Sequence, residues 1–128
     1  MEAYVRMRIM REVLCLTQKQ VADLADVPAC YVSQIENGKE VSEVIFTKVE
    51  KALMSHRDKM YPEGSYLRNM YTLNLHVAML NNAETINDKL YFTNKVSRDA
   101  SYVMGDVLES QKAAERDKRN KAYKGYRW

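Results

Sequence analysis

The stretch Leu16–Lys39, "LTQKQVADLADVPACYVSQIENGK", decides how the rest of the chain is read. Thr17 offers a hydroxyl N-cap, and Gln20 three residues later completes a capping-box pattern. A helix is therefore predicted from there to about Ala25, with Val21, Leu24 and Ala25 on its inner side. Asp26 tolerates a left-handed turn, and Pro28 suits the first turn of a new helix. That next helix is expected to end near Glu36, because Asn37-Gly38 is a strong C-terminal signal.

Working outward, Val5, Ile9, Val13 and Leu16 recur at helical spacing and predict a first helix over about Glu2–Leu14. Ser42 caps a fourth helix, with Glu43 in its first turn and Phe46, Val49 and Leu53 as its buried stripe. Pro62-Glu63-Gly64-Ser65 marks the clearest boundary in the chain. A helix is expected from Tyr66 to about Leu80, a break near Asn81-Asn82, and one or two helices from Ala83 onward. Ile86, Thr93, Val96, Ala100, Val103 and Val107 nearly follow a 3-4 heptad seam. Such a seam serves either a dimer or partner, or packing onto the Tyr66–Leu80 helix. Alternating strand-like runs are absent, so the fold class is all-α.

Composition narrows the functional classes. Of 128 residues, 46% are apolar, enough for one core of domain size. No apolar run approaches the roughly 20 residues that a membrane-spanning helix needs. Charges at Glu2, Arg6, Arg8 and Arg11 interrupt any signal-peptide core, so the chain is expected to stay in the cytoplasm where it is made. Cys15 and Cys30 are too few for a disulfide framework and lack metal-ligand spacing; both read as thiols in a reducing compartment. His56 and His76 stand apart from them, and neither a metal nor a cofactor is expected. The net charge of +3 is uneven: residues 1–64 carry nine basic against ten acidic side chains, residues 65–128 eleven against seven. The last eleven residues, KRNKAYKGYRW, hold five basic residues, three aromatics and no acid. They read as a mobile tail, either solubilising or able to grip phosphate and stack on an unpaired base.

Two helices joined by a tight turn, the second with a polar outer face, form a helix-turn-helix arrangement, whose second helix fits a DNA major groove. Here the sequence resembles the lambda-repressor/Cro-like helix-turn-helix family of phage and bacterial transcription regulators. The resemblance covers about Tyr4 to Leu53 and is carried by Thr17-Gln18, Val21-Ala22, Val32, Ile35 and Glu36-Asn37-Gly38. Small Ala22 would let the two helices approach, while Val21, Val27, Val32 and Ile35 read as core, each contributing about 1.5–3 kcal/mol.

The resemblance implies roles for individual side chains. Arg11 and Glu36 match positions that form a partly buried structural ion pair. Gln18 matches the residue at the start of the second helix that binds a DNA phosphate, helped by the helix N-terminus. Ala29, Cys30, Ser33 and Gln34 match the positions facing base edges, and Gln34 can pair bidentately with adenine. Lys19, Tyr31, Asn37 and Lys39 complete the phosphate contacts. The chain departs from the family pattern at Cys15 and Asp26, where glycine is usual, and a reshaped turn is expected after the first helix, at Cys15. Pro28 stands at a usual Ser/Thr cap, and Glu40 and Glu43 stand where many members are basic.

The expected architecture is a helix-turn-helix domain of four to five helices at 1–61, a helical dimerisation or partner-binding region at 65–117, and a tail at 118–128. The first functional expectation is a transcriptional regulator, a repressor binding double-stranded DNA as a homodimer on a palindromic operator. The alternative is a helical protein-binding factor, such as an antitoxin or a phage-borne inhibitor of bacterial defence, that keeps the module as a scaffold and controls its own promoter. No Gly-rich phosphate loop, paired metal-ligand motif or nucleophile–base pair points to an enzyme.

Overall fold

A computed structural model describes residues 1–125, with side chains as far as Lys121. Among these residues there are only helices: α1 (Ala3–Val13), α2 (Gln18–Ala25), α3 (Ala29–Glu36), α4 (Glu43–Met60), α5 (Tyr66–Asn82) and α6 (Ile86–Gly125). None is long and apolar enough to cross a membrane.

The starts of α2, α4 and α5 are fixed by side chains. Thr17 Oγ1 accepts from the Gln20 N–H at 3.1 Å, and Gln20 Oε1 accepts from the Thr17 N–H at 2.8 Å, which closes the capping box. Ser42 and Ser65 cap α4 and α5 by accepting from Ile45 N–H and Arg68 N–H. α3 starts differently: Pro28 stands at its N-cap with no side-chain hydrogen bond.

The ends of α1, α2 and α3 share one geometry. Each closes with a left-handed residue, namely Cys15 (φ 58), Asp26 (φ 56) and Gly38 (φ 75). Each carries the paired backbone bonds of a Schellman motif: Leu16 N–H to Arg11 O, Val27 N–H to Ala22 O, and Lys39 N–H to Gln34 O. The turns at Cys15 and Asp26 thus keep a glycine-like backbone without glycine, and the one at Cys15 is not reshaped. At Gly38 an added Cβ would lie 3.3 Å from the Tyr4 ring, so both the positive φ and the ring leaning on it favour glycine there.

One buried cluster runs through Ile9, Val21, Val32, Ile35, Val49 and Leu53 and continues into Tyr71, Leu75, Met79 and Phe92. Pro62–Ser65 is therefore a turn between helices that share a core. α5 packs on α1 and on α6, while α3 rests on α1, α2 and α4. Leu24, expected inside, is 52% exposed; Ala22 takes its place at the α2 interface. Phe46 is half-buried beside fully buried Val49 and Leu53.

The α5–α6 seam corrects the expected one. Ile86 is 76% exposed and Thr93 also faces solvent, whereas Phe92 and Asp99 are buried and Val96 and Val103 partly so. Polar pairs bridge the seam: His76 Nδ1 meets Asp99 Oδ2, and Asn69 Nδ2 donates to Asp106 Oδ2 at 2.7 Å. Tyr61 stacks on Tyr71 at 5.2 Å between centroids, tying the α4–α5 turn to the same core. The break expected at Asn81-Asn82 falls just after it, at residues 83–85, and Thr85 caps α6 through the Asp88 N–H. α6 then continues unbroken, so residues 118–125 of the expected tail are helical, while 126–128 lie outside the described residues.

Candidate nucleic-acid interface

Eight residues of α3 carry the candidate reading face, and a period of 3.6 residues sorts them. Val32 and Ile35 are 2% exposed and point into the core. Cys30 and Gln34 then fall on the opposite side, flanked by Ala29 and Ser33. Ala29 and Cys30 are exposed, and Ser33, Gln34 and Tyr31 are half-buried. The structure thus brings the four expected base-facing residues onto one accessible strip.

That strip is anchored from behind by an ion pair. Arg11 Nη2 lies 2.7 Å from Glu36 Oε1, Nε donates to both carboxylate oxygens at 3.0 Å, and Nη1 donates to Leu16 O at 2.9 Å. The Glu36 side chain is only 6% exposed, so a desolvated carboxylate is satisfied by a fork of donors. The pair ties the last turn of α3 to α1 and to the chain leaving α1. This fixes the angle at which α3 is presented.

Of the expected phosphate contacts, Gln18 is the first residue of α2 and half-buried, and Lys19 beside it is exposed. Their backbone N–H groups have no partner inside the helix by geometry, so amide dipole, side-chain amide and ammonium converge at one end of α2. Asn37 is partly committed: its Nδ2 donates to Ser33 O at 2.9 Å, closing the end of α3. Lys39 is exposed and lines a groove together with Glu2, Glu40 and Glu43, against Tyr4 and Phe46. Arg8 belongs to another region, where Nη2 donates to Asn82 Oδ1 at 3.2 Å and Glu12, Glu84 and Asp88 are near.

A basic groove passed unnoticed in the sequence. Lys48, Lys51, His56 and Lys59 of α4 line it over a floor of Leu24 and Ala52, and no carboxylate lines it. The signal was present as spacing, because positions 48, 51 or 52, 55 or 56, and 59 share one helix face. It also explains why Leu24 can stay exposed: the lysine stems border it.

Cys15 and Cys30 are both exposed and unpaired, and among the described residues no group of His, Cys, Asp and Glu could hold a metal ion. Comparison with protein-family models, curated proteins and solved structures gives no match to this chain.

Proposed function

We propose that this chain is a sequence-specific DNA-binding transcriptional regulator, a repressor resembling the lambda-repressor/Cro-like helix-turn-helix kind, acting as a homodimer on a palindromic operator in a phage or its bacterial host. The observation that carries this reading is the outer strip of α3. Ala29, Cys30, Ser33 and Gln34 face away from a core that Val32 and Ile35 complete, and the later helices α5 and α6 pack elsewhere. A helix so mounted can enter a major groove, with α2 crossing the backbone and Gln18 and Lys19 at a phosphate. Gln34 is the side chain able to read one base pair bidentately.

Gel shifts against duplexes selected from a random pool test this. Binding is expected to weaken with salt, with Gln34→Ala losing about 1–3 kcal/mol at one base position and relaxing preference there. Equal loss on every sequence would remove Gln34 from that role. The absence of any shift at low salt would sink the DNA reading.

A second reading, a protein-binding factor built on the same scaffold, draws on one observation. The groove at Lys39 is rimmed by Glu2, Glu40 and Glu43 and floored by Tyr4, Val41 and Phe46, a surface that repels phosphate and suits a basic, apolar segment.

A further inference from the structure

On the face of α6 turned away from α5, the side chains from Ile86 to Leu108 form a strip without charge. Ile86, Leu90, Met104 and Leu108 are 76%, 60%, 62% and 51% exposed, and Thr93, Ser97 and Ser101 between them are also exposed. Large apolar side chains thus sit at both ends and small ones in the middle. The order is symmetric about Ser97: Ile86 and Leu108, Leu90 and Met104, and Thr93 and Ser101 lie at equal distances on either side.

We infer that this strip binds a second copy of this chain, antiparallel, with the two-fold axis passing at Ser97. An isologous contact requires a surface complementary to itself, and this ordering supplies it: each large side chain meets a large one and the small centre lets the helices approach. Burial strands no donor at the centre, because Thr93 Oγ1 already donates to Lys89 O at 2.6 Å and Ser101 Oγ to Ser97 O at 3.1 Å. Ser97 meets its own copy, hydroxyl to hydroxyl. With 1.5 Å per residue the strip is about 33 Å long and about 10 Å wide, roughly 330 Å² on each copy and about 660 Å² in total, the size of a small interface that forms at high protein concentration.

The pairing stands without the DNA reading. That it would also join two α3 strips into one DNA-binding dimer rests on that reading.

Sedimentation of the full chain with no DNA present, at about 100 µM, tests the pairing through L90K, M104E and the combined L90K/M104E, all at exposed positions. The wild type is expected at twice 14.9 kDa. Each single variant is expected to raise the dimer dissociation constant at least about tenfold, with unchanged helical circular dichroism. The combined variant should recover the dimer, because the introduced lysine of one copy then faces the introduced glutamate of the other. A monomeric wild type, or single variants that dimerise as well as wild type, would overturn the interface; a combined variant that stays monomeric would overturn the antiparallel register. A dimer that binds no duplex would sink the DNA reading alone, and a monomer that binds duplex would sink this pairing and the homodimeric regulator while leaving DNA binding by α3 standing.

Discussion

Cys15 and Asp26 hold left-handed backbone that glycine adopts at no steric cost, and Cys15 is the more strained because aspartate tolerates this region better. Cys15 is exposed, and its thiol donates only one weak, long hydrogen bond, to the Val13 carbonyl at 3.8 Å, so little offsets the strain. Cys15→Gly should therefore stabilise the fold by about 0.5–1 kcal/mol after the unfolded chain's added freedom is counted. Asp26→Gly should gain less. Urea midpoints measure both, and a destabilised Cys15→Gly would show that the thiol's contacts outweigh the backbone cost. The end of α3 at Asn37-Gly38 could be read from sequence, and so could the Thr17–Gln20 box, since these depend on neighbours a few positions apart. The exposure of Leu24 could not, because it follows from where α4 lies.

At the level of elements, the α5–α6 seam shows where pattern reading slid. Its inward positions include Asp99 and Asp106, which a search for apolar repeats passes over. The reading therefore shifted onto Ile86 and Thr93, on the outer face, while sharing Val96 and Val103 with the true seam. Polar pairing across helices depends on partners 23 and 37 residues away, beyond what periodicity can register. The same helix pair holds a testable cost. The Tyr71 hydroxyl is buried with no hydrogen-bond partner among the described residues. Burial raises its pKa above the ordinary 10.0, against the opposing pull of Arg57 and Arg68. Both states carry the neutral phenol below about pH 10, so stability is full there; it falls as pH rises toward the folded-state value, since the unfolded chain releases the proton first. Tyr71→Phe should add about 1 kcal/mol at neutral pH and lessen the alkaline decline. Urea unfolding on either side of that pH checks this, and an unchanged alkaline slope would assign the decline to other groups.

For the whole molecule, the continuous core means that the N-terminal helices do not stand apart. Tyr71, Leu75 and Met79 are buried in the cluster that α1 also enters. A fragment of residues 1–64 would lose their burial, at about 1.5–3 kcal/mol each, a large share of a small domain's ~5–15 kcal/mol. It should show a weakened or lost cooperative melting transition, and wild-type stability in the fragment would contradict the shared core. The sequence carried the helix order and the outward strip of α3 because capping and periodicity are local. It left open how the second half attaches, which is a matter of surfaces meeting. α6 itself gives the last consequence: from Phe92 to Asp106 it leans on α5, yet residues 108–121 are exposed on every side. A rod supported along only part of its length should lose amide protons in a gradient, slowest beside Asp99 and quickening with each turn past Glu109. Deuterium uptake that rises in one uniform step along the rod would mean that something else grips its outer half.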